Sequence, residues 1–185
     1  VVALFPSIPQ EHGADCCAHF WERIKASKFP AHPVTGDIVK QVVMFILTHA
    51  FFCFGSSIFK QVSGTAMGSS MSVVLANCFM SFVWCAFLDD NPSIKRRIPF
   101  VRRFLDDFFG LWNGSRLMFE DFVSYFNSWC EVKGFQIQLV IASFGFPTAF
   151  LDMEIYKNMQ GRLHTRLFFK ETDVHAFLLP TSMHP

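Results

Sequence analysis

The pattern of apolar and polar positions changes between two periods along the chain. Short apolar runs bounded by Gly, Pro, Asp or Ser predict strands. These runs are Val1–Phe5, Phe51–Phe54, Ile58–Val62, Ile98–Leu105, Phe108–Trp112, Phe135–Ile141, Ala149–Tyr156 and Leu163–Phe169. Longer stretches with apolar residues every three or four positions predict helices. These stretches are 10–26, Ile38–Ala50, Met71–Leu88 and Phe119–Trp129. Because strands and helices mix without regular alternation, we predict the α+β class.

Local signals sharpen three of these boundaries. Thr35 or Asp37 can cap the second helix, because short polar side chains accept hydrogen bonds from a helix N-terminus. Gly55-Ser56-Ser57 predicts a hairpin between its flanking runs. Asp106-Asp107 lies between two apolar runs, which predicts a tight hairpin whose turn presents carboxylates. Asp89-Asp90 precedes Asn-Pro and is interpreted as a plain turn at a helix end.

Composition limits the function classes. The formal net charge of +1 argues against a globally basic nucleic-acid binder, although a local patch of five cations precedes Asp106. This patch consists of Lys95, Arg96, Arg97, Arg102 and Arg103. The six cysteines form no C-x-x-C pair, so we predict buried, reduced thiols in an intracellular setting.

The uncharged stretch from Gln61 to Leu88 raises a membrane alternative, because its length would span a bilayer. Its first half is rich in Ser and Gly, which favours a loop. We therefore prefer a buried helix over Met71–Leu88 and keep a transmembrane span as the alternative.

Two adjacent carboxylates at a hairpin turn can share one cation, whereas successive residues within a strand point to opposite faces. Such oxygens suit Mg²⁺, which keeps waters and bridges to substrate phosphates. The dipeptide alone favours a solvated turn. The nearby cations and the small-residue loop Gly64–Ser70, which precedes a long apolar helix, favour a phosphate-containing substrate.

Several segments resemble the reverse transcriptases of Penelope-like retroelements, in the order of that family's motifs. The stretch Phe59–Met80 resembles motif B in its form Q-x-x-G-x-A-M-G-S-P-x-S-P-x-x-A-N-x-F-M. Arg103–Asp107 resembles R-Y-V-D-D, motif C, and Val1–Pro9 resembles the tail of motif A. Further on, Phe150–Ile155 resembles P-F-L-D-x-x-I. The residues Lys170–Asp173 and Ser182–Pro185 resemble the K-P-T-x and S-x-H-P stretches that follow.

The resemblance implies a polymerase palm, with an antiparallel sheet packed on helices, spanning residues 1–185 as a partial domain with part of the fingers. It implies an RNA-directed DNA polymerase that transfers nucleotides from dNTPs to a primer 3′-hydroxyl. The implied partners are an RNA template and a DNA primer, with Mg²⁺ or Mn²⁺ as cofactor. We expect an intracellular, nuclear location, no membrane and no obligate protein partner.

The resemblance also assigns roles to individual residues. The catalytic metal ligands would be Asp106 and Asp107, with the backbone carbonyl of Val1. Phe5 would be the steric gate against ribonucleotides, and Met67 with Gly68 would line the nascent base pair. The remaining contacts would be Gln61, Gly64, Arg102 and Arg103 with template and primer, and Lys133 as a candidate general acid. We also expect the Val1–Phe5 strand to pair beside the Phe104–Phe109 hairpin.

The chain departs from the family pattern at several positions. The motif A aspartate should precede Val1 directly, Ser70 and Val73 replace prolines, Phe104 replaces Tyr and Glu171 replaces Pro. We expect the N-terminal part of the fingers and the C-terminal thumb to be missing from this segment. We therefore expect a fragment that does not extend a primer alone. The alternative is a non-catalytic, decayed retroelement remnant that binds nucleic acid.

Overall fold

A computed structural model describes residues 4–66 and 69–170. The chain divides into two compact units, Val1–Ile141 and Ala142–Pro185. The helices are α1 Leu4–Ser7, α2 Gln10–Lys28, α3 Gly36–Thr48, α4 Ser70–Asp90, α5 Pro92–Lys95 and α6 Arg116–Val132. The strands are β1 Phe51–Phe54, β2 Ser57–Lys60, β3 Phe100–Phe104, β4 Asp107–Leu111, β5 Thr148–Phe150, β6 Met153–Lys157 and β7 Leu163–Leu167. This mixture of helices and small antiparallel sheets agrees with the predicted α+β class.

The core of the first unit is built around α4. Its buried side chains face α2 on one side and α6 on the other, and Phe87 is fully buried. The ring of Phe87 lies 4.9 Å from that of Phe126 and 5.4 Å from that of Trp129, both on α6. Such aromatic pairs contribute beyond the apolar area that they bury. Ser69 caps α4 by accepting a hydrogen bond from Met71 N.

α4 is long and apolar enough to cross a bilayer by length and composition alone, a property that core helices share. Here it contacts the β3–β4 hairpin, because the rings of Trp84 and Phe108 lie 5.0 Å apart. The helix predicted at Met71–Leu88 is thus present as Ser70–Asp90, with seven buried residues and with Val73 and Val74 exposed.

The prediction of a strand at Val1–Phe5 is wrong for the part of this segment that the structure describes. Leu4 and Phe5 belong to the helical turn α1, while Val1 lies outside the described residues. Leu4 at the start of α1 and Ile8 directly after it are both buried, so this segment packs into the core without pairing as a strand. Among the described strands, β3 pairs only with β4, so the expected pairing of this segment beside the hairpin is absent there.

Three hairpins share one turn geometry. The turns Gly55-Ser56, Leu105-Asp106 and Leu151-Asp152 each join two antiparallel strands through two residues. The first residue of each turn has a positive φ, 60°, 49° and 55° respectively. Gly adopts this backbone conformation readily, whereas Leu is strained there.

Two other predicted strands differ from the structure. Phe135–Ile141 has no regular structure, because the Asn127 side chain pairs with both backbone groups of Leu139. These backbone groups are therefore not free for a sheet ladder. Ala149–Tyr156 is split into β5 and β6 by the turn at Leu151-Asp152, and β7 adds the third strand of this sheet in the second unit.

Candidate functional site

The turn at the end of the β3–β4 hairpin carries the two candidate metal ligands in different environments. Asp106 is the second turn residue and is partly buried. Asp107 is the first residue of β4, lies opposite Phe104 and is exposed. The predicted hairpin is confirmed, but its turn consists of Leu105 and Asp106 rather than of the two aspartates. The pair therefore places one carboxylate in the turn and one on the outer sheet face.

Arg103 fixes this turn to α4. Its guanidinium donates to the Leu105 carbonyl at 2.8 Å and to Ser81 Oγ at 2.9 Å. It also donates to Asn77 twice, to Oδ1 at 3.0 Å and to the carbonyl oxygen at 3.2 Å. The planar fork of five N–H donors makes this geometry available to Arg but not to Lys. Burial lowers the pKa of Arg103 from its ordinary value. We call these contacts the Arg103 clamp.

The structure places Arg102 and Arg103, both predicted to contact template and primer, on opposite faces of the hairpin. Neighbouring residues of a strand face opposite sides, so Arg103 points towards α4 and Arg102 to the outer face. The Arg102 guanidinium lies 4.5 Å from the centre of the Phe100 ring. Sequence reasoning missed Asn77 and Ser81, although two polar residues four positions apart on an apolar helix are a readable signal.

Several of the five cations of the basic patch have partners within the protein. Lys95 lies 3.6 Å from a carboxylate oxygen of Asp89, and Arg97 donates to the Asn113 carbonyl at 3.2 Å. Arg103 serves the clamp. Arg96 and Arg102 are both exposed, and Arg102 donates to the Val101 carbonyl of its own strand at 2.9 Å.

The glycine loop lies directly on the α1 segment. Thr65 N donates to the Phe5 carbonyl at 3.0 Å. A Cβ on Gly64 would lie 2.6 Å from Pro6 Cα and 2.9 Å from the Phe5 carbonyl oxygen, closer than packed atoms allow. Gly64 also has a φ of 66°. Gly64 is thus required by close backbone approach, and Gln10 Nε2, which sequence reasoning missed, donates to its carbonyl at 3.1 Å.

The two flanks of the glycine loop are tied to the start of α4. The buried hydroxyls of Thr65 and Ser72 lie 2.9 Å apart, and Ser72 Oγ donates to the Ala66 carbonyl. Met67 and Gly68, the candidate residues for the nascent base pair, lie outside the described residues. Val1, the candidate backbone ligand, also lies outside them.

Gln61 and Lys133 have local partners. Gln61 Nε2 donates to the Ser63 carbonyl at 3.0 Å within its own loop. Lys133 Nζ lies 3.3 Å from Asp90 Oδ2 and 5.5 Å from the centre of the Trp129 ring. Asp90 also accepts from Trp129 Nε1 at 3.2 Å, so it is a tertiary contact at the end of α4 rather than the predicted plain turn. Lys133 would have to leave this ion pair to act as an acid.

The described residues contain no group of three or more His, Cys, Asp or Glu side chains placed to hold a metal ion. Asp106 and Asp107 therefore offer two carboxylates at most within that part of the chain. This donor set is small for Ca²⁺ but fits Mg²⁺, which is held by one or two carboxylates together with waters and substrate phosphates.

No protein-family model, curated protein or solved structure matches this chain. The contacts between its own segments are therefore the basis for a functional assignment.

Proposed function

We propose that this chain is the palm portion of a reverse transcriptase related to those of Penelope-like retroelements. The reaction is transfer of a nucleotide from a dNTP to a primer 3′-hydroxyl, directed by an RNA template. One observation carries the proposal. The segment that resembles motif B touches the two segments that resemble motifs A and C, both far from it in sequence: Thr65 bonds to Phe5, and Asn77 bonds to Arg103.

In this proposal the carboxylates of Asp106 and Asp107 hold the cation at the hairpin turn. Bound Mg²⁺ would activate the attacking hydroxyl and stabilise the leaving oxygens of an in-line displacement. The clamp keeps the turn carbonyl of Leu105 in place, so the backbone that carries Asp106 would be held before substrate arrives. Arg102, on the outer face beside Asp107, would contact a phosphate of the nucleic acid.

The α1 segment and the glycine loop would form the nucleotide side of the site. The hydrogen bond from Thr65 holds the backbone of Phe5, the proposed steric gate. Gly64 and Gln61 would shape the template side, and Met67 with Gly68 would face the nascent base pair. The departure at Ser70 is structurally mild, because Ser70 is the first residue of α4, a position where proline is also favoured.

Metal binding tests the site directly. Binding of Mn²⁺ to the protein, with RNA–DNA template–primer and a dNTP present, can be followed by the electron paramagnetic resonance signal of free Mn²⁺. Asp106→Asn should weaken binding about tenfold or more, because a carboxylate ligand is lost. Asp152→Asn is the matched control, because Asp152 occupies the same position of a Phe-Leu-Asp turn. Equal effects of the two changes would contradict the assigned metal site.

Primer extension separates the proposal from a non-catalytic remnant. Any Mg²⁺-dependent extension by a protein that contains this segment should be abolished by Asp106→Ala. Extension that persists in this variant would contradict the assigned site. A decayed remnant would instead bind template–primer with an affinity that depends neither on Asp106 nor on the metal.

A further inference from the structure

Helices α2 and α4 lie side by side and run in the same direction. A Cβ on Gly13 would lie 3.1 Å from a methyl group of Leu75. Further along both helices, the rings of His19 and Phe82 lie 5.5 Å apart. A later residue of α2 thus contacts a later residue of α4, as expected for parallel helices.

Two thiols meet between these contacts. Cys17 lies between Gly13 and His19 on α2, and Cys78 lies between Leu75 and Phe82 on α4. Cys17 is four residues from Gly13 and Cys78 is three residues from Leu75, so both side chains lie on the facing sides of the two helices. Each thiol is the largest influence on the pKa of the other. Cys17 is buried and Cys78 is partly buried, so the pair is reached from the Cys78 side.

Cys78 is also beside the Arg103 clamp. It follows Asn77 and precedes Ser81 on α4, and both of these residues bind the Arg103 guanidinium. The hydrogen bond from Cys17 and the positive charge of Arg103 lower the pKa of Cys78, against the opposing effect of burial. A thiolate is the reactive form of cysteine towards oxidants, so Cys78 is the nucleophile of the pair.

We propose that Cys17 and Cys78 form an oxidisable dithiol, a modification site at which a peroxide links α2 to α4 through a disulfide. The site does not depend on polymerase activity. Its chemistry follows from two thiols on the facing sides of α2 and α4, between the contact of Gly13 with Leu75 and that of His19 with Phe82. The neighbouring Cys16 is also buried but points about 100° away from Cys17 around the helix.

The reaction has two steps. The Cys78 thiolate attacks one oxygen of hydrogen peroxide, the O–O bond breaks, and the departing hydroxide takes up a proton to become water. Cys78 is then a sulfenic acid. The Cys17 sulfur attacks it, the S–O bond breaks, and the hydroxide leaves with the Cys17 proton as a second water. The two thiols lose two electrons, and one peroxide is reduced to two waters.

Peptide mapping tests the proposal on the complete chain. Trypsin leaves Cys16 with Cys17 in one peptide and Cys78 with Cys85 in another. The parent protein is therefore a Cys16→Ser, Cys85→Ser variant, in which a link between these two peptides can join only Cys17 and Cys78. After one equivalent of peroxide at neutral pH, we expect this link to exceed any involving the exposed Cys53 by about tenfold, because the thiolate reacts and the thiol does not.

The control exchanges the two adjacent cysteines. A Cys17→Ser, Cys85→Ser variant keeps Cys16 and should form no more than a trace of the link. Circular dichroism of both variants checks that each is folded. Equal linking through Cys16, or recovery of Cys78 as sulfinic acid without the link in the folded parent protein, would overturn the proposal.

Discussion

Gly64 offers the sharpest test of how the glycine loop is built. We consider Gly64→Ala, with Gly55→Ala as its matched control. Both glycines have similar positive φ values, 66° and 60°. A Cβ at Gly55 would meet nothing within 4 Å, whereas a Cβ at Gly64 would lie 2.6 Å from Pro6 Cα. The two substitutions therefore share the backbone strain and differ in the close contact.

The expected magnitudes follow from these distances. Alanine in the left-handed region costs about 1–2 kcal/mol, partly offset by a reduced entropy of the unfolded chain, so Gly55→Ala should cost about 1 kcal/mol or less. At Gly64 the α1 backbone must also move away, which costs about 1–3 kcal/mol as overpacking does. Weakening of the hydrogen bond from Thr65 to Phe5 adds about 1 kcal/mol. Gly64→Ala should thus cost about 2–4 kcal/mol more than the control.

Urea unfolding followed by tryptophan fluorescence measures both free energies of unfolding. A loss of this size should also lower the melting temperature by roughly 5–15 °C in a protein of this length. Equal free energies for Gly64→Ala and Gly55→Ala would refute the close approach between the glycine loop and α1. Such a result would also contradict the contact between the segments that resemble motifs A and B.

Two further predictions concern the Arg103 clamp and its neighbour. Arg103→Lys should reduce the free energy of unfolding by about 1–2 kcal/mol, since one ammonium group cannot replace all the guanidinium contacts. Arg102→Lys should change it by less than about 0.5 kcal/mol, as surface substitutions do, and equal losses in urea unfolding would contradict the clamp. The alkylation rate of Cys78 by iodoacetamide should rise with pH through about 7, because its lowered pKa makes the thiolate available there. Cys17→Ala should shift that rise to higher pH, and an unchanged pH profile would contradict the hydrogen bond between the two thiols.

Helices α2, α3, α4 and α6 and the first two hairpins could be predicted because their signals are local. Thr35 caps α3 as expected, accepting a hydrogen bond from Ile38 N. The apolar stretch after the glycine loop forms α4, and Gly55 supplies the turn of the first hairpin. In each case a cap, a period or a turn residue determines the structure without help from distant residues.

Two strand predictions failed because local signals did not determine the structure there. Phe135–Ile141 is apolar enough for a strand, but a side chain from another element, Asn127, takes the backbone groups of Leu139. Leu151 ends a strand by adopting a positive φ, which is uncommon for Leu and so cannot be predicted from the residue type. A tertiary contact therefore accounts for the first failure, and a residue conformation that sequence does not reveal accounts for the second.

The candidate site was predicted in outline but not in detail. The hairpin with Asp106 at its turn followed from two apolar runs and an acidic pair. Strand alternation could have separated Arg102 from Arg103, because neighbouring residues face opposite sides. The partners of Arg103 could not be read in the same way, since they lie on α4, more than 20 residues earlier in the chain.

The clamp makes the shape of the hairpin independent of its two carboxylates. Arg103 holds the backbone of the turn through the Leu105 carbonyl and binds α4 through Asn77 and Ser81. None of these bonds uses the carboxylate of Asp106 or Asp107. Selection can therefore discard the acidic chemistry while the hairpin keeps its shape. If the proposed function holds, a lineage that no longer copies its element would lose the activity before the scaffold, and its well-formed turn would record ancestry rather than catalysis.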